Sequence, residues 1–127
     1  MSDISFKSLI EQAQQDPEVL AVLLFGSHAR EEARPDSDVD ICLVLMPGVL
    51  GSQAGFEKRL TYMANFNIDA HIYQQVPLYI RQRILKEGKV LYVRDEELLY
   101  ETACRTITEF ADYEHMYHDY LKEIARG

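Results

Sequence analysis

An α/β (α+β) domain is expected, in which a small mixed sheet of about four strands is packed by helices and followed by one long C-terminal helix. Three features of the sequence say so. Segments of helical periodicity alternate with short apolar runs over residues 3–94. One of these runs, Val19–Phe25, is continuously apolar, as a strand covered on both faces is, and a second, Asp38–Met46, is apolar apart from its two aspartates. From Asp95 to Arg126, apolar residues recur at steps of three, four or seven, which is the pattern of one amphipathic helix.

Taken in order, residues 3–15 form the first helix, with Asp3 near its cap and Ile4, Leu9, Ile10 and Ala13 turned inward. Asp16-Pro17 ends it, because the residue before a proline is pushed out of the helical region. Strand Val19–Phe25 runs into a Gly26-Ser27 turn, and a short helix from Ser27 to Ala33 is closed by Arg34-Pro35. The second strand is Asp38–Met46, Pro47–Gly51 is a loop, and residues 52–66 are helical with Phe56, Leu60 and Met63 on one side. The third strand, Asn67–Tyr73, alternates: Asp69, His71 and Tyr73 share one face, Ile68, Ala70 and Ile72 the other. Pro77 suits a helix start, so 77–87 is helical and Gly88 ends it. Lys89–Arg94 is a short strand, and the last helix, over 95–126, allows a bend near Asp112. The expected organisation is one domain over 1–127, with a core over about 1–94 and an interaction helix over about 95–126.

With 47% apolar and 27% charged residues in 127, the chain has the make-up of an ordinary globular protein able to bury a core. No apolar run reaches the ~18 residues of a membrane span, and the N-terminal residues lack the pattern of a secretion signal, so a cytoplasmic protein without membrane contact is expected. Cys42 and Cys104 have no metal-type spacing and read as reduced thiols. A net charge of −8 argues against broad binding to nucleic acid, which needs a basic footprint. Basic residues do collect between Lys58 and Arg94, where a solvated helix face and an anion-facing surface are both open.

The chemistry concentrates between Val22 and Leu45, VLLFGSHAREEARPDSDVDICLVL. Asp38 and Asp40 stand at i and i+2 of a strand, so their carboxylates project side by side from an otherwise apolar segment. Like charges held that close repel, and a hard divalent cation between them is the natural remedy. Gly26-Ser27 supplies the complement: glycine lets backbone approach a ligand closely, and free N–H groups at a helix start bind anionic oxygens. Carboxylates facing such a turn imply chemistry on a nucleoside triphosphate.

Gly26-Ser27, ten intervening residues and Asp38-Val39-Asp40 between apolar neighbours resemble the signature of the polymerase β-like nucleotidyltransferases. The run GSHAR…SDVDICLV and the small size are similar to the minimal nucleotidyltransferase (MNT) branch. The signature covers Phe25–Leu45, and the likeness in element order extends to Val93.

The resemblance implies the nucleotidyltransferase fold, ATP as substrate, and two Mg²⁺ ions, with Mn²⁺ an acceptable substitute. It implies Asp38, Asp40 and Asp69 as catalytic and metal-binding acids, Asp69 standing where the family has its third. It implies Gly26, Ser27 and Arg30 as the nucleotide-binding residues, from the pattern Gly-Ser-x-Ala-Arg. Arg30 reads nearly as well as a surface cation beside Glu31 or Asp36; His28 by default as a solvated loop residue and otherwise as lining the mouth of the site; His71 as either an orienter of Asp69 or a half-buried strand residue. MNT proteins of this kind are similar to the antitoxin half of HEPN/MNT pairs, which moves AMP onto a tyrosine of a HEPN ribonuclease toxin. Such a partner would meet the C-terminal helix, whose ~45 Å length exceeds what one small sheet covers, and a homo- or hetero-oligomer is expected. Two other readings stay open: a small-molecule transferase of the aminoglycoside-modifying type, for which the ~30 residues beyond the core are few, and an antitoxin acting by binding alone.

Overall fold

A computed structural model describes residues 2–26, 39–49 and 52–126. The elements are helix α1 (Ser2–Gln15), strands β1 (Val19–Phe25) and β2 (Asp40–Leu45), helix α2 (Ser52–Asn65), strand β3 (Asp69–Ile72), helix α3 (Leu78–Glu87), strand β4 (Lys89–Val93) and helix α4 (Glu96–Arg126). The strands form one mixed sheet in the order β3-β2-β1-β4, with β1 antiparallel to both neighbours and β2 parallel to β3. β1 lies inside the sheet with layers on both faces, which is why its run from Val19 to Leu24 is wholly apolar and buried.

Alternation divides the core. Val22, Leu24, Ile41, Leu43 and Ile72 pack with Leu9 and Ala13 of α1 and Tyr62 of α2. Leu23, Cys42 and Val44 point the other way, to Ile84 of α3, to Tyr73, and to Leu98 and Leu99 of α4. The site described below opens on this second face.

Three expectations change in detail. β2 begins at Asp40, and Asp38 lies outside the described residues. β3 is Asp69–Ile72, shorter than Asn67–Tyr73 at both ends; at its C-terminal end Tyr73–Gln75 turns into a short 3₁₀ segment. The ladder is extended instead by a side chain: Gln74 accepts from the Leu45 N–H at 3.2 Å and donates to the Leu45 carbonyl at 2.9 Å. Phe56, Leu60 and Met63 do share a side of α2, but it faces solvent, with Phe56 55% exposed. The opposite stripe won because its polar groups have partners. Lys58 bridges Asp16 at 2.9 Å and Glu18 at 2.6 Å, the buried Tyr62 hydroxyl donates to Asp16 at 3.1 Å, and Arg59 Nε donates to the Ala70 carbonyl at 2.7 Å. Burial alone would lower the Lys58 ammonium, but the hydrogen bonds to Glu18 and Asp16 outweigh it and hold it above the ordinary lysine value.

Arg94 closes the far end of β4. Its guanidinium donates to the carbonyls of Ala13, Gln14, Asp16 and Val19, so one side chain caps the C-terminus of α1 and ties it to the sheet. Asp95 begins α4 by accepting the Leu98 N–H at 3.1 Å. α4 then runs unbroken for 31 residues, through Asp112. Its first half is anchored to the sheet, and the buried Thr106 hydroxyl bonds that of Tyr73. Beyond Phe110 its apolar residues are exposed, Met116 at 69% and Tyr117 at 52%. No helix among the described residues is long and apolar enough to cross a membrane.

The core predicts an alkaline weakness. Burial pushes the Cys42 thiol far above its ordinary 9.0, and chiefly burial raises the Tyr62 and Tyr73 phenols above their ordinary 10.0. The unfolded chain releases these protons at ordinary values while the folded chain holds them. Stability is therefore fully present below about pH 9 and is lost as pH rises above it. Urea unfolding midpoints across the alkaline range should show the decline, and Cys42→Ala, which removes the earliest of the three groups, should move its onset up by about one pH unit.

Candidate active site

Strand pairing builds the site. Phe25 on β1 lies opposite Asp40 on β2, and Asp40 lies opposite Asp69 on β3, so the three form one row across the sheet. The next row is Leu23, Cys42 and His71. Neighbouring strands sit about 4.8 Å apart, and paired residues point to the same face. The two carboxylates are thus side by side because of a parallel register, which the Asp69 N–H reinforces by donating to the Val39 carbonyl at 2.8 Å.

Gly26 closes the row from above. Its φ is +77°, in the left-handed region that side chains disfavour, and a Cβ there would run into the Asp40 carboxylate. The turn after β1 therefore passes directly against the acid, a close approach that only glycine permits. A cleft of about 330 Å³ lies alongside, between Phe25, Gly26 and Asp40 and the side of α3 that carries Ile80, Arg83, Ile84 and Glu87. Its apolar residues face a rim where Arg83 and Glu87 stand 3.7 Å apart.

His71 reaches up from the second row. Its Nε2 is 3.2 Å from Asp69 Oδ2 and 3.9 Å from Asp40 Oδ1. Phe25 holds the imidazole edge-on, with ring centroids 5.4 Å apart at 68°. One donor atom each from Asp40, Asp69 and His71 lie within 4.8 Å of one another, and all three side chains are partly open to solvent. Bonds of about 2.1 Å to a divalent ion set its donors about 3 to 3.5 Å apart, so these acids fit such an ion with small side-chain adjustments.

Of the residues expected from the sequence, Gly26, Asp40 and Asp69 are brought together; Ser27, Arg30 and Asp38 lie outside the described residues, as do the short helix after Ser27 and His28. The α3 wall of the cleft was not foreseen, because nothing in LYIRQRILKE announces that it will face a turn some fifty residues earlier. Phe25, adjacent to the Gly-Ser pair, carried a signal only by position.

Residues 7–97 match the family described as Polymerase beta, Nucleotidyltransferase. The chain is also similar to a provisionally named protein adenylyltransferase of Methanocaldococcus jannaschii, 38% identical over 80 residues, which make up 63% of this chain and 61% of that relative. It thus aligns with less than two thirds of the relative's length. Among solved structures it is similar to a chain from a toxin–antitoxin complex with AMP-PNP, with a TM-score of 0.68 and 19% identity over 93% of this chain and 97% of that one. It is similar as well to a chain from the complex of tri-AMPylated Shewanella oneidensis HEPN toxin with MNT antitoxin, with a TM-score of 0.69 and 17% identity over 98% of each. At such identities the likeness speaks for a shared fold.

Proposed function

This chain belongs to the Polymerase beta nucleotidyltransferase family, and we propose that it is a Mg²⁺-dependent protein adenylyltransferase that carries AMP from ATP to a tyrosine of a HEPN-type ribonuclease toxin, acting as its antitoxin in the cytoplasm. The observation that carries the enzymatic half is the pair Asp40 and Asp69, in register on parallel strands beneath the Gly26 turn. A protein that only binds has no use for two adjacent strand carboxylates with a backbone turn pressed against one of them. The relative named for protein adenylylation and the fold shared with toxin–antitoxin chains support the choice of acceptor.

In this reading Asp38, Asp40 and Asp69 hold two Mg²⁺ ions, with Mn²⁺ an alternative. When bound, the ions neutralise the triphosphate and stabilise charge on the attacking and leaving oxygens. Gly26 and Ser27 receive the phosphates through backbone N–H groups and the hydroxyl, and Arg30 reaches the same tail. Asp69 takes the proton of the acceptor hydroxyl. The acceptor oxygen bonds to the α-phosphorus as the bond to the bridging oxygen breaks, and pyrophosphate leaves. The cleft between Gly26 and α3 borders these groups and offers room for a substrate beside them.

The partner would dock on the distal half of α4. Tyr113 and Tyr117 stack there with centroids 6.2 Å apart at 13°, and Met116, Tyr120, Leu121 and Ile124 extend the exposed stripe toward the C-terminus. Tyr113 and Tyr117 line a groove of about 460 Å³ with Pro77, Leu78 and Tyr79. Aromatic stripes of this kind are common anchors of protein interfaces.

The test is incubation of the purified chain with ATP labelled at the α-phosphate, Mg²⁺ and a candidate HEPN protein. Label is expected on a tyrosine of the partner and should be absent with Asp40→Asn. A stable complex without label supports neutralisation by binding alone, and label transferred only to small hydroxylated molecules supports the aminoglycoside-type alternative.

A further inference from the structure

We infer that His71 is a direct nitrogen ligand of the ion held by Asp40 and Asp69, and that it tilts the site toward Mn²⁺ and similar transition ions over Mg²⁺. The inference rests on the reading of those two acids as ion-binding residues. It starts from placement. His71 follows Asp69 by two residues on the same strand face, and it pairs with Cys42, whose thiol is buried beneath the row of acids. The ring stands against the carboxylates of the row above it. Phe25 fixes its plane from the β1 side.

The nitrogen lies near both acids, closer to Asp69 than to Asp40. Nε2 is 3.2 Å from one carboxylate oxygen and 3.9 Å from another, on different residues. Contact with Asp69 is shared with an orienting role; the added approach to Asp40, its partner across the strands, is what puts one nitrogen within reach of both acids. Three donor atoms within 4.8 Å of one another, two oxygens and a nitrogen, are a set that one coordination sphere can span. The chemical consequence follows from the donors. Mg²⁺ demands a near-ideal octahedron, keeps its waters and gains little from an imidazole; Zn²⁺ and the later transition ions suit imidazole, and Mn²⁺, itself mainly an oxygen binder, tolerates a nitrogen ligand better than Mg²⁺ does.

The experiment uses the full chain with Mn²⁺ and Mg²⁺ alone, without nucleotide. Electron spin-echo spectra of the Mn²⁺-loaded protein should show nitrogen-14 coupling from a directly bound imidazole. Calorimetric titration should show His71→Gln weakening Mn²⁺ about tenfold while Mg²⁺ changes less than threefold, with the nitrogen coupling gone. No nitrogen coupling in the unsubstituted protein overturns the inference, and that readout needs no variant to fold. Equal weakening of both ions also overturns it, since an orienter of Asp69 would act on either. If instead Asp40→Asn binds both ions as tightly as the unsubstituted chain, the ion-binding reading of the acids has failed, which is a separate result.

Discussion

Replacing Asp40 by asparagine should lower the rate of AMP transfer by about a thousandfold or more, while the chain remains folded with an unfolding midpoint close to that of the parent. The side chain stands at the first residue of β2, partly exposed, and the hydrophobic packing of β2 begins one residue later with Ile41. Asparagine has the same shape and leaves that packing alone. What disappears is one negative charge, at the point where Asp69 and the Gly26 turn converge. Relief of repulsion between the two acids offsets whatever the carboxylate gains from His71, so the stability change should stay within about 1 kcal/mol. Initial rates with labelled ATP, read beside a thermal melt, separate the two quantities. A rate within tenfold of the parent would remove Asp40 from the chemistry and the proposed reaction with it.

Substituting Gly26 by alanine is expected to cost about a hundredfold in transfer and about 1 to 2 kcal/mol in stability. Two separate causes act. A residue with a Cβ is strained at φ +77°, and that Cβ would overlap the Asp40 carboxylate, so either the turn or the acid must move. Displacing a reacting group by ~1 Å is enough for a loss of this size. Gly48 provides the control. Its φ is +95° but nothing lies within 4 Å of the Cβ it would carry, so Gly48→Ala should destabilise by a similar backbone strain and leave transfer nearly unchanged. If both alanine variants lose activity in proportion to their stability, Gly26 matters only as a turn residue. If Gly26→Ala alone loses transfer beyond its loss of stability, the close approach over Asp40 is functional.

Much of this could be read from the linear chain because it is local. An apolar run bounded by turns, such as Val19–Phe25, declares a strand covered on both sides whatever lies above and below it. The steps of three and four from Leu99 to Ile124 declare a helix, and the same steps carried past the reach of the sheet announce an exposed stripe. The Gly-Ser turn and the two aspartates after it also lie within twenty residues of one another, so their spacing carries family identity without knowledge of the third dimension.

Only the folded structure could decide the rest, because it depends on which distant segments meet. That Asp69 stands opposite Asp40, and not one residue up or down, is a matter of parallel register, and a single step would turn Asp69 to the other face of the sheet. α2 buries Tyr62 rather than Phe56 because Asp16, forty-six residues before Tyr62, supplies the partner for its hydroxyl and for Lys58. His71 is ambiguous as a letter in NIDAHIY, and it becomes a group near two carboxylates only when β2 and Phe25 are laid beside β3. Local periodicity is set by backbone geometry alone, whereas the meeting of donors at one point is set by pairing across the sheet, which no stretch of sequence contains by itself.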